Sequence, residues 1–105
     1  KYFDAEKALN KSFSLNPTNA DIATDLGSIF IATGKVKKSL RFLKIAQTRN
    51  SNMHEVFNNL GAAHAEIGQN KQAINYWEKA LEHHPFMAEV HINMGVVYER
   101  MGKKK

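Results

Sequence analysis

The sequence has no cysteine, and its 105 residues include only two prolines and six glycines. Without cysteine the chain can form no disulfide, hold no metal through thiolates and use no thiol nucleophile. This composition favours a reducing compartment such as the cytoplasm without fixing it. No apolar run approaches the roughly twenty residues that cross a bilayer as a helix, so we expect no membrane span.

The few glycines are evenly spaced along the chain. They form two series, each with a step of 34 residues: Gly27, Gly61 and Gly95, and Gly34, Gly68 and Gly102. Pro17 and Pro85 lie 68 residues apart, which is twice that step. Residue class follows the same step in other columns: Leu26, Leu60 and Met94; Leu9, Leu43 and Trp77; Ala5, Ser39 and Ala73; Ser12, Ala46 and Ala80. Such a period indicates one structural unit repeated along the chain.

The spacing of apolar residues within each unit predicts amphipathic helices. Ile22, Leu26 and Phe30 recur every four residues in segment 20–33, and segment 54–67 repeats the pattern. A glycine inside such a helix costs about 1 kcal/mol relative to alanine. We therefore expect the first glycine series to lie where two helix backbones approach closely, facing the small residues of the neighbouring helix.

The second glycine series and the prolines predict where helices end. Gly34 and Gly68 follow the first helix of a pair, where glycine readily adopts a left-handed conformation. Pro17 and Pro85 then end the second helix, because proline cannot continue it. Two segments resemble helix N-caps: Thr18 with Asp21, and Asn52 with Glu55.

A 34-residue period with a Leu-Gly pair, an aromatic residue three positions after that glycine, two columns of small residues and a closing proline resembles the tetratricopeptide repeat. The resemblance covers the whole chain, with His64 in place of one aromatic residue. It implies an all-α fold, a right-handed α-solenoid of antiparallel helix pairs. In that register the chain divides into the second helix of one repeat (1–19), two complete repeats (20–53 and 54–87) and the first helix of another (88–105).

The resemblance also implies a function, because such solenoids bind a peptide or helix of another protein in a concave groove lined by the first helices. In related proteins an asparagine column hydrogen-bonds the backbone of an extended peptide, and here that column holds Asn59 and Asn93. A carboxamide suits this role because it offers both a donor and an acceptor. The remaining groove residues that we predict are Asp25, Asn58, Glu66 and Glu99.

Charge is unevenly divided between the helices. The three predicted first helices, 20–33, 54–67 and 88–101, carry a formal charge of −5, whereas the chain as a whole carries +5. An acidic groove favours a neutral or basic partner over an acidic one, since like charges oppose association.

Two alternatives to a peptide-binding scaffold remain open. Lys37, Arg41 and Lys44 share one face of the helix predicted over 35–49, which would suit a nucleic acid or another anionic surface. A solvated outer face explains the same pattern. The second alternative is a self-assembly segment, in which apolar faces at the two ends of the chain associate head to tail.

No pattern in the sequence indicates chemistry. No nucleophile, base and orienting group recur together, and the repeat already accounts for every glycine, which leaves no phosphate-binding loop. The five histidines lack a recognisable ligand spacing. We therefore expect no enzymatic activity, no cofactor, no metal and no small-molecule substrate. His64 and His91 occupy aromatic columns and Trp77 a leucine column, so we expect all three to be packed.

Overall fold

The computed structural model describes residues 2–49 and 53–102, and within these ranges the chain forms six α-helices and no strand. The helices are α1 (Tyr2–Leu15), α2 (Ala20–Ala32), α3 (Val36–Thr48), α4 (Met53–Glu66), α5 (Asn70–His83) and α6 (Ala88–Arg100). Short turns join α1 to α2, α2 to α3, α4 to α5 and α5 to α6, so the helices of each of these pairs pack as antiparallel neighbours.

The helices stack in one direction. α2 packs on α3 and α4 packs on α5 as two hairpins, while α2, α4 and α6 contact one another in series. The chain is correspondingly elongated, with extents of 45 × 25 × 19 Å. Each hairpin buries its apolar face only by packing on the next one, which is the principle of a solenoid. The predicted all-α helical repeat solenoid is confirmed.

The core lies between the row formed by α2, α4 and α6 and the helices that pack behind it. Leu26, Leu43 and Leu60 are 0% exposed and Trp77 is 1% exposed, so the indole is packed as predicted. The small-residue columns face this core and are completely buried, at Ser39, Ala46, Ala73 and Ala80.

Two glycines of the first series lie beneath large side chains. A Cβ at Gly27 would lie 2.6 Å from the side chain of Leu43, and a Cβ at Gly61 would collide with the indole of Trp77. The close approach that we predicted is therefore present, but it is made by large side chains of the partner helix and not by its backbone. At Gly95 the prediction is wrong, because no other atom lies within 4 Å of where a Cβ would be.

The second glycine series ends the first helix of each pair as predicted. Gly34 and Gly68 have φ of +79° and +80°, the left-handed region. After Gly34, the backbone N–H of Lys35 donates to the carbonyl of Phe30 at 2.7 Å, so the helix closes in a Schellman motif. That motif turns the chain directly into α3.

The start of α2 differs from the sequence prediction. Its N-cap is Asn19 and not Thr18: the Asn19 side chain accepts a hydrogen bond from the backbone N–H of Ile22 at 3.0 Å. Thr18 instead donates to Asn16 Oδ1 at 3.3 Å. Asparagine is as good a cap as threonine or better, so the one-residue shift is energetically reasonable. The second predicted cap, Asn52, lies outside the described residues.

Candidate functional site

The predicted groove residues fall into two places along the α2, α4 and α6 row. Where α4 packs on α6, Asn93 contacts Asn58 and lines a pocket together with Glu66, and Asp25 lies where α2 packs on α4. Asn59 is half-buried on α4 and Glu99 is exposed on α6, and neither of them lines the pocket described next.

A pocket of about 140 Å³ opens between α4 and α6. Apolar and polar side chains both line it, and the lining residues are Ala62, Ala65, Glu66, Trp77, Asn93, Val96, Val97 and Arg100. The pocket exists because two alanines of α4 leave space that longer side chains would fill. We call it the α4–α6 pocket. Sequence reasoning did not select Ala62, Val96 or Arg100 as ligand-contacting residues, because small apolar residues at helical spacing look the same whether they line a pocket or a core.

Asn58 forms hydrogen bonds with the buried Trp77 and with Asn93, both of which line this pocket. Its backbone carbonyl accepts a hydrogen bond of 3.1 Å from Trp77 Nε1, and its side chain is buried, with only 5% exposed. Its Oδ1 in turn accepts a long hydrogen bond of 3.5 Å from Asn93 Nδ2. This contact directs one N–H of the Asn93 amide towards α4 and leaves its second N–H and its Oδ1 for a ligand at the pocket.

Asp25 lies in an acidic cluster that spans two helices. Partial burial raises the pKa of the Asp25 carboxyl above its ordinary value of 3.8, and the negative charges of Glu55 and Asp21 raise it further. Asp21 and Asp25 are four residues apart on α2, the spacing at which like charges repel most directly on a helix. A cation bound here would relieve that repulsion.

The predicted basic patch lies on a different helix from the predicted groove residues. Lys37, Arg41 and Lys44 are exposed on α3. Two neighbouring lysines are instead engaged within the fold: Lys35 forms a 3.5 Å ion pair with Glu6, and Lys38 Nζ lies 5.7 Å from the centre of the Phe30 ring.

His54 and His64 lie on α4, His83 on α5 and His91 on α6, whereas His84 follows α5 and stacks on His54 with ring centres 5.1 Å apart. His64 stacks on Tyr76 with ring centres 5.3 Å apart, as expected for an aromatic column. His91 is exposed, contrary to our prediction, and its Nε2 lies 3.0 Å from the carbonyl oxygen of Pro85. Across residues 2–49 and 53–102, no three His, Asp or Glu side chains are grouped closely enough to hold a metal ion. None of the described helices is long and apolar enough to cross a membrane.

Comparison with known proteins agrees with this architecture. Residues 54–87 match the family model described as "Tetratricopeptide repeat". Residues 54–87 are thus similar to one complete tetratricopeptide repeat. Tetratricopeptide repeat protein 21B of Mus musculus is 46% identical over 44 residues, which are 42% of this chain and 3% of that protein.

Solved tetratricopeptide-like structures superpose on nearly the whole chain. The crystal structure of MamA has a TM-score of 0.83 at 24% identity and matches 97% of this chain and 60% of its own. MamA MSR-1 C2 has a TM-score of 0.78 at 27% identity, matching 96% and 58%. MamA AMB-1 P212121 has a TM-score of 0.72 at 29% identity, matching 93% and 54%. The chain thus spans less than two thirds of each MamA chain and a small part of the mouse relative. Tetratricopeptide repeats in general are protein–protein interaction scaffolds, and this chain has the helical-repeat fold of the structures it matches.

Proposed function

We propose that the row of α2, α4 and α6 forms a groove that binds an extended, neutral or basic segment of a partner protein. In this proposal the chain consists of two complete repeats, 20–53 and 54–87, flanked by a second helix (1–19) and a first helix (88–105). The observation that carries the proposal is the Asn58–Asn93 hydrogen bond beside an open pocket, since it presents an oriented amide at a surface where a peptide can lie.

Backbone recognition is assigned to Asn59 and Asn93. Both lie in the same column, one repeat apart, and both are half-buried, so their side chains lose less freedom on binding than fully exposed ones would. The Oδ1 of Asn93 would accept a backbone N–H of the bound segment. The Asn58 side chain is too buried to form extensive contacts with a ligand. Its role in the proposal is to orient Asn93.

Charge selection is assigned to Asp25, Glu66 and Glu99, all of which are exposed. Burial raises the pKa of Asp25, and the negative charges of Glu55 and Asp21 raise it further. Those neighbouring charges make the surroundings of Asp25 a favourable position for a lysine or arginine of the partner. A basic segment would therefore associate faster and bind more tightly at low salt than an acidic one.

The test uses the 105-residue chain and a displayed library of random dodecapeptides. We expect selection to enrich sequences with net positive charge, and we expect Asn93→Ala to weaken binding of the enriched peptides about three- to tenfold, as the loss of one hydrogen bond does. Enrichment no greater than on an unrelated helical protein would overturn the proposal.

The basic stripe on α3 supplies a rival, because Lys37, Arg41 and Lys44 are all exposed on one helix. Fluorescence anisotropy with a labelled double-stranded oligonucleotide, at two salt concentrations, tests it. Tight binding that collapses with salt and disappears in the double variant Lys37→Glu with Arg41→Glu, in a chain that enriches no peptide, would favour the rival.

Self-association is a further candidate, favoured by exposed apolar side chains on α1 and α6. Phe3 is 73% exposed and Ile92 is 65% exposed. If these faces associate head to tail, sedimentation velocity will show a mass that rises with concentration and a return to monomer in Ile92→Asp. A monomer at every concentration would rule out this candidate.

A further inference from the structure

The α4–α6 pocket has a size and a lining that indicate what it can hold. An apolar cavity of about 150 Å³ in a protein core accommodates a molecule as large as benzene. The pocket of about 140 Å³ therefore has room for one side chain of that size and not for two. Five of its eight lining residues are alanine, valine or tryptophan, so most of the lining offers apolar contact.

The rim of the pocket carries one acid and one base. Glu66 ends α4 and Arg100 ends α6, and both line the opening. Their formal charges cancel, so the rim attracts neither a cation nor an anion strongly, and burial of apolar surface decides what enters. The acidic cluster around Asp25 lies in the neighbouring gap, between α2 and α4.

We propose that the α4–α6 pocket is a subsite for one leucine-sized apolar side chain of the extended partner segment, with Asn93 Oδ1 accepting a backbone N–H beside that side chain. The inference rests on the proposed function and adds the register in which the partner segment binds. The Asn93 amide determines where the backbone of that segment lies, and the pocket determines which of its side chains contacts α4 and α6. The partner is thus a segment with a required apolar position, not any basic peptide.

The distance between the two gaps predicts the spacing of the partner's recognition residues. Adjacent packed helices lie about 8–10 Å apart, and an extended chain advances about 3.3 Å per residue. A segment that crosses from the acidic cluster to the α4–α6 pocket covers that distance and also advances by about one to two helical turns, since Asp25 aligns with Asn59 and the pocket is lined further along α4 by Ala62, Ala65 and Glu66. A basic residue and the apolar residue should therefore stand about three or four positions apart in the partner.

The decisive variant is Ala62→Leu, which places three additional carbon atoms in the pocket. Ala8→Leu is the matched control, because Ala8 is exposed on α1 and lies away from the pocket. Circular dichroism and thermal unfolding establish that both variants are folded. The probes are synthetic peptides from the wild-type selection described above, each paired with a version in which its preferred apolar residue is replaced by alanine.

For wild type and Ala8→Leu we expect the apolar peptide to bind about tenfold more tightly than its alanine version, as burial of a large aliphatic side chain predicts. In Ala62→Leu that ratio should fall to about one, while the alanine version binds as it does to wild type. Selected peptides with no required apolar position, or a ratio that Ala62→Leu leaves unchanged, would overturn the subsite. The groove would survive either result, whereas selection of no peptide at all would overturn the proposed function itself.

Two further measurements test what the α4–α6 pocket holds. If Ala62→Leu does not fold, Val96→Ala enlarges the pocket instead, and its selected peptides should shift from leucine to phenylalanine or tryptophan; an unchanged preference would count against the subsite. Sedimentation velocity of wild type and Ala62→Leu tests the other occupant. Self-association that Ala62→Leu abolishes would show that the pocket holds a second copy of the chain and would overturn the peptide assignment.

Discussion

Trp77 Nε1 donates a 3.1 Å hydrogen bond to the backbone carbonyl of Asn58, across the contact between α5 and α4. The same asparagine uses its side chain to hold Asn93 on α6. One residue therefore links the packing of a hairpin to the position of a proposed peptide-contacting amide, and the two roles can be separated by substitution.

The first prediction concerns the glycine column. Gly61→Ala should lower the free energy of unfolding by about 1–3 kcal/mol, because the new methyl group meets a buried indole that is already fixed by its hydrogen bond. Urea unfolding of the 105-residue chain, followed by circular dichroism, measures it.

Gly95→Ala is the matched control in the same column. Since nothing lies within 4 Å of its missing Cβ, the substitution should raise the free energy of unfolding by up to about 1 kcal/mol through helix propensity alone. Equal effects of the two substitutions, in either direction, would contradict the packing described here.

The second prediction separates Asn58 from Asn93. Asn58→Ala should cost about 0.5–1.5 kcal/mol of stability, because a buried amide loses its hydrogen bond. It should also weaken peptide binding, since Asn93 is then unrestrained. Asn93→Ala should weaken binding by at least as much and change stability less. Thermal unfolding and anisotropy titrations on both variants check this; a binding loss confined to Asn58→Ala would show that Asn93 makes no contact.

The third prediction concerns Asp25 and pH. Because burial and the neighbouring acids raise its folded-state pKa, the ionised carboxylate opposes folding, and this penalty is absent below about pH 3.8 and complete once the pH exceeds the raised pKa. Asp25→Asn should therefore stabilise the chain at pH 7 by about 0.2–0.5 kcal/mol, the usual size of a like-charge repulsion four residues apart on a helix.

The stabilisation by Asp25→Asn should disappear when unfolding is measured at pH 3.5. Asp4→Asn on α1 serves as the comparison, since Asp4 is exposed and lies on a helix that does not contact α4. Stabilisation of equal size at both pH values would argue against a charge origin.

Structural features could be predicted from the sequence mainly where they repeat along the chain. The glycine and proline spacing indicated the solenoid, the left-handed turns at Gly34 and Gly68, and the burial of Trp77, because each recurs every 34 residues and is imposed by local sterics. The N-cap of α2 was misplaced by one residue, since Thr18 and Asn19 are both good caps and only the turn geometry chooses between them.

Features that depend on the neighbouring repeat were harder to predict. His91 and Gly95 follow the columns of their repeat, but both belong to α6, which packs only on α4 and α5 among the described helices, and so neither is covered. The α4–α6 pocket was not predicted for a related reason. It is a space between two packed helices, and its size depends on how the helices pack, which the sequence does not show directly.

The fourth prediction concerns the basic stripe. The double variant Lys37→Glu with Arg41→Glu should leave binding of a selected peptide within about twofold of wild type, because both residues lie on α3, outside the α2, α4 and α6 row. A matched charge change in the groove, Asp25→Lys with Glu66→Lys, should weaken a basic peptide about tenfold or more at low salt. The reverse order of effects, measured by anisotropy, would place the binding surface on α3.

The most direct measurement is a titration of the ¹⁵N-labelled chain with one selected peptide, followed by NMR chemical shifts. We expect the largest shifts in α2, α4 and α6, including those of the side-chain amides of Asn59 and Asn93. Shifts concentrated on α3 around Lys37 and Arg41, with the two asparagine amides unmoved, would contradict this expectation.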